Sequence, residues 1–319
     1  FRGKIAKYTK NKYLGIVLGA LTTAFTQSSS AVTIITVILV NTGIISFNNS
    51  LGIIFGSNIG TTITSQLALI DSTLLASILI IVGFFFGVSG RKAKILSKPI
   101  FFLGFILFSL SLLFSALGPI KNDPYVMEVF GQLSNPILAY VISALFTSVI
   151  QSSSVTSGII VILAQAGLIP IEVSIPMILG ANLGSSITTL LTSLKLHLSA
   201  KRVGFANFLF NLLGTALFML LLPAFVSLIQ ILSPEIGIQT ALAHFLFNVS
   251  ATILFLIFLK PFEKLVINLI RGNEEEILFR TKYLKKNGKK LKTKQRIENI
   301  KKEIAYSIEN TIKIYHLAL

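Results

Sequence analysis

Apolar stretches dominate the chain, and the polar residues that interrupt them set its organisation. Residues 14–26 are apolar, Gln27-Ser28-Ser29-Ser30 stops them, residues 32–40 are apolar again, and Asn41-Thr42-Gly43 follows. A membrane-spanning helix needs about 20 apolar residues, whereas about 10–14 fit a re-entrant segment. Residues 14–46 therefore read as a helical hairpin that enters and leaves by one face, with Gln27–Ser30 at its tip. Residues 50–70 are long enough to span, but Gly56, Asn58, Gly60, Thr61 and Thr62 interrupt their middle, which predicts a broken helix. Two ordinary spans follow at 74–89 and 99–117, separated by Arg91, Lys92, Lys94 and Lys98. The order then recurs, with a hairpin at 136–169 and a broken helix at 174–194, followed by Lys195, Lys201 and Arg202. Residues 205–232 form a span that Pro223 should kink, and 238–259 return to a basic tail.

The recurrence is a repeat. Gln151-Ser152-Ser153-Ser154 lies 124 positions after the first such motif, and at that offset 20–67 overlays 144–191 with 21 identities in 48. Ile, Leu and Val coincide cheaply in apolar sequences. Here the polar and glycine positions coincide, including Gly56-x-Asn58-x-Gly60 with Gly180-x-Asn182-x-Gly184. One unit is present in two copies, each with a polar sequence at its heart.

Composition fixes the class, because 319 residues with 53% hydrophobic and 13% charged positions and a mean hydropathy of +0.81 describe a membrane protein. Charge is segregated: residues 13–259 carry eight Lys/Arg and five Asp/Glu, against fifteen and seven in 260–319. The net charge of +16 is thus a topology signal and a tail, and no nucleic-acid partner is expected. No cysteine is present, which excludes disulfides and thiol chemistry. No cleavable signal peptide is evident. The chain opens at Phe1, so a leading segment is expected to be absent from it.

Basic residues place segments on the cytoplasmic side. Arg2, Lys4, Lys7, Lys10 and Lys12 put the start of the first copy inside, and its broken helix exits at Asp71-Ser72, without basic residues. The second copy begins after 119–135, where Lys121, Asp123 and Glu128 give no positive excess, and exits inside at Lys195–Arg202. The copies therefore have opposite orientation. An inverted-topology repeat with short, glycine-interrupted segments at matching positions points to a secondary transporter with its site near the bilayer midplane. The expected fold class is an all-α polytopic membrane protein of two inverted repeats with re-entrant hairpins and broken helices. Repeat 1 covers 1–135, repeat 2 covers 136–260, and 261–319 forms a basic cytoplasmic tail.

Polar side chains inside a bilayer are costly and by default functional, and irregular backbone there must be covered by protein or line a cavity. Gln27, Ser28, Ser29 and Ser30, with Gln151, Ser152, Ser153 and Ser154, supply two amides and six hydroxyls. Hydroxyl and carbonyl oxygens suit Na⁺, while hydroxyl protons and free N–H groups at a half-helix N-terminus suit an oxyanion. Neither motif has Arg or Lys beside it, so anion and cation would compensate one another. The competing reading makes the serines helix-packing contacts, but two clusters at matching positions favour a site. Gly56, Gly60, Gly180 and Gly184 are read as helix breaks, and Asn58 and Asn182 as site or supporting groups rather than caps of a kink. Thr61, Thr62, Ser185 and Ser186 stand just after the breaks, where first-turn N–H groups would be free.

With its doubled QSSS, each followed by G-x-N-x-G-[TS]-[TS], the chain resembles the sodium-dependent phosphate cotransporter family, the type II sodium/phosphate symporters and their bacterial relatives. The resemblance covers about residues 2–260. It implies symport of inorganic phosphate with Na⁺, at sites formed by the eight Gln and Ser residues of the two motifs. Residues 206–211 (ANFLFN) and 243–248 (AHFLFN) resemble the family's A-H-x-x-F-N stretches, with Asn207 where His is usual. No organic cofactor is expected, since Na⁺ acts as the coupling ion, and the partners are phosphate, Na⁺ and the bilayer. A homo-oligomer is left open.

His244 reads as a packed or capping histidine rather than a proton relay and Asp71 as a solvated turn rather than a cation ligand, and no triad, metal cluster or Walker loop supports an enzyme. In the tail, Ile297, Ile300, Ile304, Ile308 and Ile312 recur at helical spacing. They form either an amphipathic helix on the inner leaflet or, by resemblance, the start of a helical domain similar to phosphate-uptake regulators; the second is preferred. The expected function is Na⁺-coupled phosphate symport across the cytoplasmic (inner) membrane by alternating access. Its rivals are a membrane-embedded phosphate sensor or scaffold, and a symporter of another small oxyanion.

Overall fold

The structure, a computed structural model, describes residues 11–70, 73–89, 94–117, 135–272 and 293–318, together with 119, 123–125 and 283. The expectations attached to residues 1–10, Asp71, Arg91, Lys92, Lys121, Glu128 and 284–292 lie outside these. Among the described residues there are thirteen helices and no strand. The first copy contributes α1 (Lys12–Thr26), α2 (Ser29–Asn41) and α3 (Phe47–Leu67), then α4 (Thr73–Val88) and α5 (Lys94–Leu117). The second contributes α6 (Pro136–Ile150), α7 (Ser153–Gln165) and α8 (Ile171–Ser193). After it come α9 (Leu198–Leu220), α10 (Leu222–Leu232), α11 (Ile236–Ile257), α12 (Leu259–Leu269) and the tail helix α13 (Thr293–Ala318).

The sequence repeat is also a backbone repeat. α1 and α6 begin and end at corresponding residues, as do α2 and α7. Asn11 and Asn135 cap α1 and α6 in the same way, each carboxamide oxygen accepting from two first-turn N–H groups. Gly43 and Gly167 both take a left-handed conformation where the chain turns toward α3 and α8.

The predicted helix breaks are not there. α3 and α8 run without interruption through Gly56, Gly60, Gly180 and Gly184. These glycines instead let backbones touch, as small residues do between membrane helices. A Cβ on Gly56 would stand 2.0 Å from the Ile16 carbonyl oxygen of α1, and one on Gly180 would stand 2.2 Å from that of Tyr140 in α6. Gly60 meets Ala20 and Gly184 meets Ala144 in the same manner. Each copy therefore closes on itself through one shared device.

The main core joins α3, α8, α9, α11 and α12. Phe55 stacks on Phe210 with ring centroids 4.8 Å apart, Phe210 lies 5.0 Å from Phe255, and Phe255 lies 4.9 Å from Phe262. Phe262 and Val266 are buried, so the packed body continues through α12, past the boundary expected at 260. α9 and α10 part at Leu221, with Pro223 in the first turn of α10, where the kink was expected.

α5, α8, α9 and α11 are long and apolar enough to cross a membrane. α5 buries only Gly104, Leu107 and Ser111, while Phe102, Phe105 and Leu112 are more than half exposed. Such an outward apolar surface belongs against lipid. The protein is a multi-pass membrane protein in which α1, α2, α6 and α7 are short apolar helices.

Candidate functional site

Gln27 and Gln151 are the two non-glycine residues with positive φ among the described residues (φ 54° and 61°). That conformation costs an L-residue roughly 1–2 kcal/mol, and strain of this kind clusters at functional sites. It ends α1 and α6 sharply. The Gln27 N–H returns to the Thr23 carbonyl at 2.7 Å, and Gln151 repeats the bond to Thr147 at 2.7 Å. Ser28 and Ser152 are then extended and open α2 and α7 as N-caps. Ser28 Oγ accepts from the Ala31 N–H at 3.2 Å and Ser152 Oγ from that of Val155 at 3.3 Å. Capping uses an oxygen lone pair and leaves each hydroxyl proton to donate elsewhere.

The two turns meet. Ser154 Oγ, in the first turn of α7, donates to the carbonyl oxygen of Gln27 at 3.3 Å, across 127 residues of sequence. Each turn juxtaposes the carbonyl end of one helix with the N–H end of the next. The two turns thus offer oxygens to a cation and N–H and O–H donors to an anion, with no charged residue within either Gln-Ser-Ser-Ser turn. Ser153 and Ser154 are buried, and Ser28, Ser29 and Ser30 are half-buried.

The two amides differ. Gln27 is clamped, with Nε2 donating to the Ala24 carbonyl at 2.6 Å and Oε1 accepting from Thr64 Oγ1 at 2.5 Å. Thr188, the counterpart of Thr64, turns its hydroxyl to the Ser185 carbonyl at 2.9 Å instead, and Gln151 is exposed. Thr147 Oγ1 ties α6 to α7 through Thr156 Oγ1 at 3.0 Å. At the matching place in the first copy Val32 replaces that partner, and Thr23 Oγ1 is buried without one.

Thr61, Thr62, Ser185 and Ser186 do not front free N–H groups, because α3 and α8 are continuous there. Their hydroxyls return to carbonyls three or four residues earlier, at 2.6–3.0 Å. Asn58 and Asn182 likewise donate to Ile54 and Ile178, each at 2.9 Å. Asn58 goes further, donating to Asn207 Oδ1 at 3.2 Å and accepting from Asn211 Nδ2 at 3.2 Å. This buried amide cluster joins α3 to α9. Ser65 Oγ pairs with His244 Nδ1 at 2.6 Å and joins α3 to α11, which makes His244 the packed histidine expected, with its Nε2 buried and unpartnered. Asn207, Asn211, Thr64 and Ser65 carried no assigned role in the sequence, although the two ANFLFN-like stretches held the signal for the first pair. Asn58→Ala should therefore cost about 1–2 kcal/mol more than Asn182→Ala, since it also strips partners from two buried amides. Thermal unfolding of the two purified variants in detergent measures the difference.

An all-helical membrane protein in which two half-length helix pairs bring polar turns together inside an apolar body has the anatomy of a secondary transporter. The sequence pattern of the Na⁺/Pi-cotransporter family matches residues 1–115 and 126–260, and the chain belongs to that family of phosphate transporters. It is 29% identical to YqeW of Bacillus subtilis over 234 residues, 73% of this chain and 76% of that one. It is 30% identical over 217 residues to YjbB of Salmonella typhimurium, a protein named for inorganic phosphate export. That match covers 67% of this chain but only 40% of YjbB. Human sodium-dependent phosphate transport protein 2B is 36% identical over 114 residues, 32% of this chain and 16% of its own. No protein of solved structure matches the chain.

Proposed function

We propose that this protein couples Na⁺ to the movement of inorganic phosphate, with both ions bound between the turns at Gln27–Ser30 and Gln151–Ser154. The observation that carries the reading is the Ser154–Gln27 hydrogen bond, which joins the two strained turns across the repeat. Phosphate would take hydroxyl and N–H donors from the first turns of α2 and α7, and Na⁺ the oxygens of the turns and of Gln27 and Gln151. Neither ion is stable there alone, and that mutual dependence is the coupling.

Alternating access needs two copies of opposite orientation, and the packing supports this. α3 and α11 run antiparallel, since Phe55 meets Phe255, Ser65 meets His244 and Leu69 meets Gly237. α9 and α11 also run antiparallel, with Phe210 against Phe255 and Phe218 against Phe247. Gly204 packs on Ser193, and Thr215 bonds Tyr140 of α6 at 2.8 Å, whose backbone lies against Gly180 of α8, so α8 opposes α9. α3 and α8 then point in opposite directions.

Both hairpins read as re-entrant. The end of α2 lies beside the 195–202 segment, where Asn41 Oδ1 accepts from the His197 N–H at 3.0 Å, and Arg202 Nε donates to the Ile270 carbonyl at 3.1 Å. With Lys195, Lys201, Lys260 and Lys264 this end is basic, which supports the reading that it faces the cytoplasm from the inner membrane, with the tail on that side. The end of α7 lies at the other face, where Gln165 and Leu69 both touch Gly237.

Proteoliposomes loaded with or without Na⁺ test the proposal through radiolabelled phosphate flux. Accumulation driven by inward Na⁺, absent with K⁺ and uncompeted by sulfate or dicarboxylates, is expected. Flux indifferent to Na⁺ would sink the coupling. Because YjbB is named for export, the outward arm has its own interest: net efflux under an outward Na⁺ gradient would make the physiological direction a matter of which gradient the cell maintains.

A further inference from the structure

The end of α1 and the first half of α5 do not close on each other. A crevice of about 490 Å³ separates them, lined by Phe25 and Gln27 on one side and Lys98, Phe102, Leu103 and Ile106 on the other. Ligand pockets commonly fall within about 300–1,000 Å³. The walls are almost wholly apolar, and Phe25 and Phe102 are 73% and 57% exposed, so the crevice opens sideways onto the lipid-facing surface. Its polarity is graded. Lys94, Lys98, Phe102 and Ile106 succeed one another at four-residue spacing, which stacks them on one face of α5. The basic pair stands at the helix start, the aromatic and aliphatic pair deeper, and Gln27 adjoins the apolar part.

We infer that this crevice is a binding site for an anionic phospholipid, with one acyl chain between α1 and α5 and the headgroup on Lys98 and Lys94. The graded lining carries the inference. A wholly apolar slot would accept any chain, and a basic patch alone would attract any anionic surface. An apolar slot with lysines at one end fits an amphiphile of fixed polarity. The lysine stems reach along the apolar wall and hold their ammonium groups toward the headgroup layer. A lipid placed so touches the residue whose backbone ends α1 and would brace the Gln27 turn from the membrane side. The inference does not depend on which ion the protein moves.

The chain contains no tryptophan, so one introduced residue reports alone. Phe102→Trp places the reporter in the crevice. Phe105→Trp places it on open lipid-facing surface of the same helix, where Phe105 is 53% exposed. Each is a conservative aromatic exchange. Both proteins are reconstituted into vesicles of phosphatidylcholine with a minor fraction of phosphatidylglycerol, and bromine is carried on the acyl chains of one lipid or the other. At position 102 brominated phosphatidylglycerol should quench about fivefold more effectively per molecule than brominated phosphatidylcholine, the preference expected of about 1 kcal/mol from a lysine near the surface. Lys98→Gln in the Phe102→Trp background should remove most of that preference, while the reporter at 105 shows none. Equal quenching by both lipids at 102 overturns the headgroup assignment. Failure of both to quench at 102 while both quench at 105 means that protein fills the crevice, and that overturns the site.

Discussion

Replacing Gln27 and Gln151 together by glycine is expected to yield a well-folded protein that has lost phosphate transport. Both residues hold the left-handed conformation that glycine adopts without strain. The backbone bonds closing the two turns, from residue 27 to Thr23 and from residue 151 to Thr147, survive the change. At 151 the side chain is exposed, so Gln151→Gly alone should be neutral or stabilising by up to about 1 kcal/mol. At 27 the gain is offset by loss of the bonds to Ala24 and Thr64, and stability should change little. Transport responds differently. A hydrogen bond to a charged group is worth about 1.5–3 kcal/mol, so deleting two amides from the proposed site should lower phosphate uptake on the order of a hundredfold or more. Melting curves and flux on the same preparation separate the two effects. An unfolded double variant would mean that the amides hold the turns, and unchanged uptake would remove them from the site.

Gly56→Ala and Gly180→Ala should fail in the opposite sense, through folding rather than binding. The added methyl would meet the Ile16 or Tyr140 carbonyl oxygen at 2.0 or 2.2 Å, and these are backbone atoms of a packed helix. Nothing can rotate aside, so α1 must separate from α3, or α6 from α8. Overpacking typically costs about 1–3 kcal/mol when side chains can adjust, and a backbone clash should exceed the upper figure. Folded yield after extraction should collapse for either variant. Gly214→Ala is the control: its methyl would meet Phe247 and Ala251 at 3.5–3.7 Å, ordinary contact, and the protein should extract normally. Wild-type yield from Gly56→Ala would show that the two backbones have room to part.

What the sequence revealed follows from what the residues must do. Gln-Ser-Ser-Ser is conspicuous because four adjacent polar residues are costly in an apolar stretch, and the second copy, at matching number and spacing, weighs against helix packing as the whole reason. Gly56-x-Asn58-x-Gly60 was as conspicuous but misleading. A glycine that breaks a helix and one that admits another backbone occupy the same pattern, and only the identity of the neighbour, α1 or α6, separates them. The free N–H groups expected beside these glycines are absent for the same reason, since an unbroken helix leaves the Thr and Ser hydroxyls its own carbonyls. The Asn58–Asn207–Asn211 cluster spans 153 residues, and no local signal ties its members. The crossing from Ser154 to Gln27 was approachable only because the repeat suggested a pairing of like with like.

The short helices bear on how such a chain enters the membrane at all. α1 has 15 residues, about 22 Å at 1.5 Å per residue, against a hydrocarbon core of about 30 Å. Released alone into lipid, its C-terminal end would strand unpaired carbonyls and Gln27 in the hydrocarbon. The surface that receives it, the glycine face of α3, is synthesised only after Phe47. On the proposed re-entrant reading, α1 and α2 would settle in the membrane only once α3 has emerged, and α6 and α7 only once α8 has. The unit of insertion on that reading would be a block of three helices rather than a single span, made twice.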